Sequence, residues 1–223
     1  VSPMAVDDAV APSIVRPAFV RLTRQIRERP ALHRRPSGET ATDPYVVVER
    51  VQLGPRLPFV GTPDMLSLGE AVHAIFAADR ADQPAQTRQA QAEAILDRWG
   101  VHQVKAQDVL DACDRLNAHL NGLWPTARLR RETPVFARLG DQLVSGRIDL
   151  LAEHDEGFAV IDHKSFPGSR DTWDARAAGY GPQLGLYAEA IEAATSRPCD
   201  GLYIHMPIVG ALLRVVPQPG ATT

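Results

Sequence analysis

Two short stretches of the sequence determine the fold, GRIDLL at Gly146–Leu151 and VIDHKS at Val160–Ser165. In each, apolar and β-branched residues accompany one aspartate, a composition typical of a strand that is buried on at least one face. Asp149 lies near the end of the first predicted strand, and Asp162 ends the next. Because a short turn joins them, the strands are predicted to be antiparallel neighbours. We therefore expect the two carboxylates to lie side by side at one end of the sheet.

A lysine, two residues beyond Asp162, is expected to lie near this pair of acids. On an extended chain Lys164 points to the same face as Asp162. Carboxylates held close together repel one another unless a divalent cation neutralises them, and ligation by oxygen alone suits Mg²⁺, which completes its shell with substrate phosphate oxygens. Such a set suits phosphodiester hydrolysis, in which Lys164 can orient the attacking water or neutralise charge. An isolated Asp-x-Lys, however, is commonly a surface ion pair that contributes little.

The apolar pattern changes along the chain from helical to strand-like periodicity. Spacings of three and four residues predict helices at Pro63–Ala78, Pro84–Trp99 and Ala106–Leu123. The elements predicted further along are strands at Arg128–Arg138, Gln142–Leu151, Phe158–Asp162, Leu202–Met206 and Leu212–Val216, and a helix at Tyr180–Thr195. This order predicts an α/β (α+β) core with an N-terminal helical extension.

The first 62 residues differ in character from the rest. They contain a predicted basic helix at 16–29, proline-rich loops and a possible strand at Tyr45–Leu53. We therefore divide the chain into a lead-in, residues 1–62, and a main domain, residues 63–223, which we expect to form one compact unit overall.

Composition limits the class of protein. The chain has 223 residues, of which 44% are hydrophobic and 23% charged, close to the average for globular proteins and sufficient for a sizeable core. No apolar run is long enough to span a membrane, and the start carries no secretory signal, so we expect a cytoplasmic protein. Two cysteines, Cys113 and Cys199, cannot supply the four thiolates of an iron–sulfur cluster.

Charge alone does not identify a nucleic-acid-binding protein. The formal net charge is −3, so there is no overall basic signature. Arginines nevertheless crowd residues 16–35 and recur at Arg128, Arg130 and Arg131. They either form a solvated helix face or contact phosphates, whose oxygens match the parallel donors of a guanidinium. Both interpretations remain open.

Five motifs in a fixed order give the chain a family resemblance. LGEAVH at Leu68–His73 and ETPVF at Glu132–Phe136 precede the two stretches above, and YGPQLGLY at Tyr180–Tyr187 follows them. In this order they resemble the motifs of the RecB-family nucleases of the PD-(D/E)xK superfamily, above all the nuclease domain at the C-terminal end of AddA-type and RecB-type helicase–nuclease subunits. The resemblance implies a restriction-endonuclease-like core, in which helices flank a mixed central β-sheet. Ile148 replaces the proline of the superfamily's name, which is usual in this branch.

The resemblance also implies roles for individual residues. These are metal binding for His73, Asp149, Asp162 and the backbone carbonyl of His163; catalysis for Asp149, Asp162, Lys164, Gln183 and Tyr187; substrate binding for Gln183, Tyr187 and Arg147; and a supporting acid at Glu132. Gln183 and Tyr187 are four residues apart and therefore share one face of the predicted helix.

Two residues have an ordinary structural alternative. A lone histidine among apolar residues, as at His73, is commonly a core residue, and only its LGEAVH context favours a ligand. If His73 is a ligand, its imidazole nitrogen predicts that Mn²⁺ is tolerated beside Mg²⁺. Trp173 lies after Lys164 in a stretch rich in Gly, Pro and Ser that predicts a loop, where the indole would either pack or stack on a base.

The resemblance implies a Mg²⁺-dependent DNA nuclease, specifically an exonuclease, acting on single strands or duplex ends in double-strand-break repair and recombination. The sequence contains no GxxxxGK[ST] phosphate loop and hence no ATP site of that kind. A helicase motor would therefore lie elsewhere on a longer polypeptide or on a partner subunit, in the nucleoid-associated cytoplasm and without a membrane. Two alternatives are a non-catalytic DNA-binding or docking module of the same fold and a standalone nuclease acting in defence.

Overall fold

The structure is a computed structural model that describes residues 33–38 and 44–218. The basic helix predicted at residues 16–29 lies outside the described residues. The described part contains a short 3-10 helix at Pro36–Gly38 and five α-helices: α1 (Met65–Ala78), α2 (Ala85–Arg98), α3 (Ala106–Leu123), α4 (Arg170–Gly179) and α5 (Gly181–Thr195). It also contains seven strands: β1 (His33–Arg34), β2 (Tyr45–Gln52), β3 (Arg128–Leu139), β4 (Gln142–His154), β5 (Gly157–His163), β6 (Cys199–Met206) and β7 (Ala211–Pro217).

The strands of the described part join one mixed sheet in the order β1-β4-β5-β6-β7-β2, and β3 pairs with the other edge of β4. Strands β5 and β6 are parallel, and the connection between them runs through α4 and α5, since parallel neighbours need a long crossover. The neighbouring pairs β4–β5, β6–β7 and β7–β2 are antiparallel. This arrangement confirms the predicted α/β core with a mixed central sheet. Strand β2, from the predicted lead-in, belongs to the same sheet.

Helices cover both faces of the sheet. Successive residues of a strand point to opposite faces, and in β5 Ile161 packs with the α1–α3 cluster whereas Val160 packs with the α4–α5 cluster. Every residue of β5 is buried, as is typical of a central strand covered on both sides. The predicted helical extension is therefore one of the two covers of the sheet. Among the described helices, none has the length and apolar character to cross a membrane.

Strand β4 changes partner along one of its edges. Its C-terminal half pairs with β5 as far as Leu150 opposite Ile161, whereas near its start Leu143 and Val144 pair with β1. Within the described residues, no strand occupies this edge of β4 between residues 145 and 149. The sheet therefore forks where β5 leaves β4, and the fork leaves a gap in the middle of the fold.

The structure corrects the prediction in the stretch after Lys164. A loop was expected there, but residues 170–179 form helix α4. Its helical signal is weak because only Trp173 and Ala177, four residues apart, are buried, and the Pro, Gly and Ser residues before it dominate the local pattern. Trp173 is buried, and its indole N–H donates to the carbonyl of Gly168 at 3.1 Å. It is therefore a packing residue in this structure rather than a free stacking platform.

A buried ion pair joins the three helices of the first cover. The carboxylate of Asp79, at the C-terminal end of α1, is 1% exposed and accepts two hydrogen bonds from the Arg88 guanidinium of α2, at 2.7 and 2.9 Å. Arg88 also donates to Asp114 of α3 at 2.6 Å. Since Asp114 is 48% exposed, only the Asp79 carboxylate depends on Arg88 for its solvation.

We predict that Arg88→Met destabilises the fold by about 3 to 5 kcal/mol, because it leaves the Asp79 charge buried without a partner. The matched control, Asp114→Asn, removes the exposed partner and should cost about 1 kcal/mol or less. Urea unfolding measured by far-ultraviolet circular dichroism gives both values. Equal losses in the two variants would show that the buried pair does not hold the helices together.

Candidate active site

The fork brings Asp149 and Asp162 together. They are the next residues in register beyond the last pair, Leu150 with Ile161, so they face each other where the two strands separate. The backbone N–H of His163 donates to Asp149 Oδ2 at 2.8 Å and links the strands across the fork. The sequence predicted neighbouring carboxylates, and the structure has them, but in the interior of the sheet, since β4 continues past Asp149 toward β1.

Lys164 approaches the same pair of acids. Its Nζ lies 2.7 Å from Asp162 Oδ2, which agrees with the expectation that residues 162 and 164 share a face. The backbone N–H of Lys164 donates to the carbonyl of His205 at 2.8 Å, so the ladder between β5 and β6 fixes the backbone position of the lysine. The ammonium also lies 4.7 Å from the centroid of the Tyr180 ring.

Helix α1 adds an imidazole to the site. His73 Nδ1 is 3.7 Å from Asp149 Oδ2, and His73 Nε2 is 3.0 Å from Glu132 Oε1. One ligand atom from each of these three residues lies within 4.8 Å of the others, a spacing that allows them to hold one metal ion. The helix can approach closely because residue 69 is a glycine. A Cβ at this position would lie 3.2 Å from the Cβ of Ser165, which is tighter than an ordinary contact.

Glu132 occupies a strained backbone position. Its φ is +51°, in the left-handed region that residues other than glycine enter at a cost of about 1 kcal/mol or more. The ladder between β3 and β4 skips this residue, since Arg131 pairs with Leu150 and Thr133 with Ile148. The irregularity lies opposite Asp149 and accompanies the contact between Glu132 and His73. The sequence predicted a supporting acid here, and it gave no sign of the backbone irregularity.

Helix α5 contributes two residues that the resemblance had implied. The Gln183 side-chain amide donates to Asp162 Oδ1 at 3.0 Å. The Tyr187 hydroxyl donates to the carbonyl of Arg147 at 2.8 Å and accepts from its backbone N–H at 3.1 Å. Gly146 makes room for this contact, because a Cβ there would meet the Tyr187 hydroxyl at 2.6 Å. Tyr187 thus binds the backbone of β4 two residues before Asp149.

These residues surround an open cleft of about 470 Å³. Its wall includes all of the predicted site residues except Glu132: His73, Arg147, Asp149, Asp162, His163, Lys164, Gln183 and Tyr187. The Arg147 side chain is 65% exposed and pairs with Glu132 at 3.4 Å, so a basic group is available at the rim. The imidazole of His163 instead packs against Phe76 and lies 3.0 Å from the buried His205 ring nitrogen.

Burial and mutual repulsion set the charge of the two carboxylates. Burial, followed by the charge of Asp162, raises the pKa of Asp149 to about 6, although His73, the His163 N–H and Lys164 act in the opposite direction. Burial also raises the pKa of Asp162, against the effect of Lys164. Burial alone would lower the pKa of Lys164, but the charge of Asp162, the hydrogen bond to Asp162 and the charge of Asp149 together raise it. The pair of acids therefore resists full ionisation unless additional positive charge is present.

The donor set fits a divalent cation. His73, Glu132 and Asp149 each offer one ligand atom at a spacing that a single ion can share. Asp162 is the neighbouring acid at the fork, and its carboxylate contacts Lys164. Burial raises the pKa of both aspartates, so additional positive charge would favour their ionised forms. Burial lowers the pKa of His163 well below its usual value, so this imidazole is neutral and does not supply that charge. Oxygen ligands with one nitrogen suit Mg²⁺ and Mn²⁺.

A family model confirms the class of protein that this fold and site define. The chain belongs to the PD-(D/E)XK nuclease superfamily, whose model matches residues 46–220. It is therefore a nuclease, a hydrolase that acts on nucleic acid, and nucleases of this superfamily generally use divalent metals.

Two similar proteins accompany this match. One is a component of an ATP-dependent helicase/nuclease from Carboxydothermus hydrogenoformans, to which the chain is 38% identical over 63 residues, a segment covering 28% of this chain and 5% of that protein. The other is the crystal structure of a candidate exonuclease from Eubacterium rectale, with 12% identity and a TM-score of 0.40 over 72% of this chain and 61% of the other.

We predict that Asp149→Asn stabilises the metal-free protein above pH 6 by roughly 1 to 3 kcal/mol. The pKa of Asp149 is about 6 in the folded state, which is higher than in the unfolded state. Between these two pKa values the folded state therefore binds more protons than the unfolded state. Wild-type stability consequently falls as pH rises from about 4 to 6, whereas asparagine carries no such charge. The difference in stability between Asp149→Asn and the wild type should disappear as the pH falls toward 4. Urea unfolding in EDTA at pH 8 and at pH 4.5 measures this difference.

Asp141→Asn is the matched control, because that side chain is 97% exposed and its replacement should change stability little at either pH. A destabilised Asp149→Asn variant at pH 8 would contradict the conclusion that the charge of this carboxylate is unfavourable in the metal-free fold.

Proposed function

We propose that this chain is a metal-dependent DNA nuclease domain that hydrolyses phosphodiester bonds as an exonuclease. The observation that carries the proposal is the fork, where Asp149 and Asp162 face each other in register and the Lys164 ammonium lies 2.7 Å from Asp162. A buried acid, a partly buried acid and one amine at the wall of an open cleft are groups suited to phosphodiester hydrolysis.

The metal ligands that we propose are Asp149, Asp162, His73 and the backbone carbonyl of His163. Glu132 supports them, since its carboxylate orients the imidazole of His73 at 3.0 Å and lies close enough to share a cation with it. When bound, Mg²⁺ supplies Lewis-acid polarisation of the phosphate and lowers the pKa of a bound water. The nitrogen of His73 makes Mn²⁺ an acceptable substitute.

The remaining residues bind and orient the substrate in this proposal. Lys164 stabilises negative charge that develops at the scissile phosphate. Arg147 is exposed at the rim, where its guanidinium can bind a phosphate oxygen in exchange for Glu132. Gln183 orients Asp162 by its amide hydrogen bond and contacts the DNA from the wall of the cleft. Tyr187 holds the backbone of β4 and thereby the position of Asp149.

The biological setting is part of the same proposal. The similarity to a helicase/nuclease component supports a role beside a helicase motor, on the same longer polypeptide or on a partner subunit. Such a motor delivers single strands or duplex ends, which the nuclease degrades in double-strand-break repair and recombination, in the nucleoid-associated cytoplasm.

We predict that the purified chain with Mg²⁺ or Mn²⁺ degrades end-labelled linear DNA and leaves covalently closed circular DNA intact. Asp162→Asn and Lys164→Met should each lower the rate by at least about a hundredfold. The first removes a charged metal ligand, and the second removes the positive charge that stabilises the reacting phosphate. The chain has one other lysine, Lys105, and Lys105→Met is the matched control that should cleave at the wild-type rate.

EDTA should abolish cleavage in the wild type and in the control. Cleavage by both active-site variants at the wild-type rate would contradict the assignment of the site, and degradation of closed circles would contradict the exonuclease assignment.

A further inference from the structure

Helix α5 presents a third residue to the active site besides Gln183 and Tyr187. Tyr180 immediately precedes α5 and lies three residues before Gln183, so the spacings of three and four place all three on one face. Gln183 contacts Asp162, and Tyr187 contacts the backbone of Arg147. The ring of Tyr180 meets Lys164, with 4.7 Å between the ring centroid and Nζ. Tyr180 was not among the site residues that the family resemblance implied.

We propose that Tyr180 is a positioning residue for Lys164, whose ring face holds the ammonium at the fork. The proposal rests on the proposed function, because it assumes that the ammonium acts on the scissile phosphate. A cation within about 6 Å of an aromatic centroid is attracted by the negative face of the ring, and the attraction grows when both groups are partly desolvated. The Lys164 side chain is only 25% exposed.

The two partners of the ammonium differ in one respect that matters for the reaction. Asp162 is a proposed metal ligand, so a bound cation would compete with Lys164 for the same carboxylate and repel the ammonium. Tyr180 instead attracts the ammonium through the face of its aromatic ring, and Tyr180 is not a proposed metal ligand. It therefore keeps Lys164 in place under the conditions in which the attraction of Asp162 is weakest.

The backbone of Tyr180 has a separate structural role that any residue could perform. Its N–H bonds to the carbonyl of Ala177 at the end of α4, and its carbonyl accepts from Leu184 N–H in the first turn of α5. The ring also packs against the core cluster beneath α5. Leucine and phenylalanine both retain this backbone and an apolar side chain, and only leucine removes the ring face next to Lys164.

The experiment compares Tyr180→Phe, which retains the ring, with Tyr180→Leu, which removes it. We expect Tyr180→Leu to lower kcat for linear DNA by about 2- to 30-fold and Tyr180→Phe to remain within about twofold of wild type. The affinity for Mn²⁺, measured by calorimetry, should change less than kcat, because Tyr180 is not one of the proposed metal ligands. A wild-type kcat in Tyr180→Leu, or an equal loss in both variants, would overturn the proposal.

A second readout tests the contact without catalysis. The chain has two lysines, Lys105 and Lys164, so metal-free protein labelled with ¹³C-lysine gives two ε-methylene signals in a proton–carbon spectrum. Shielding by the ring should place the Lys164 signal upfield of the Lys105 signal in the wild type and in Tyr180→Phe. In Tyr180→Leu the Lys164 signal should move downfield toward the Lys105 signal.

The wild-type spectrum tests the contact even if Tyr180→Leu fails to fold. Coincident signals of Lys105 and Lys164 in the wild type would by themselves overturn the proposal. A wild-type protein that cleaves no DNA would instead contradict the proposed function. Wild-type cleavage with no loss in a folded Tyr180→Leu variant would overturn the role of Tyr180 alone.

Discussion

The separation of β4 from β5 places every other group of the site. The pairing of β4 with β5 ends at Leu150 and Ile161, so the next residues in register, Asp149 and Asp162, lie outside that ladder. Asp162 remains paired with β6. Both aspartates are placed by the most buried part of the fold, since β5 lies between covered faces. The electrostatic cost follows directly, as the pKa of Asp149 rises to about 6. A bound cation would relieve the repulsion between the two carboxylates, so the same electrostatic cost favours cation binding.

The elements next to the fork contain a strained backbone and unusually close contacts. Glu132 adopts a left-handed backbone in the middle of β3, and Gly69 and Gly146 allow close contacts that a larger residue would obstruct. These features bring α1 and α5 against the two strands from opposite faces of the sheet. Strain and close packing of this kind are found where the fold must hold several functional side chains in one place.

The sequence predicted the parts of the site that depend on local periodicity. Alternation along β5 placed Asp162 and Lys164 on one face, and a short turn made β4 its neighbour. Local pattern could not reveal that β1 pairs with the start of β4, because that pairing involves a distant segment of the chain. It also missed helix α4, whose two buried residues give little amphipathic signal. The helical spacing of Tyr180 to Gln183 and Tyr187 could have placed Tyr180 at the site. Its contact with Lys164 could not be predicted, because Lys164 lies on another element.

If the fork between β4 and β5 is a cation site, anomalous diffraction from crystals grown with Mn²⁺ will locate the ion without relying on activity. We expect a peak between the carboxylates of Asp149 and Asp162, within about 2 Å of an oxygen of each. A well-ordered structure at millimolar Mn²⁺ with no peak there, or with its strongest peak elsewhere in the molecule, would contradict this interpretation.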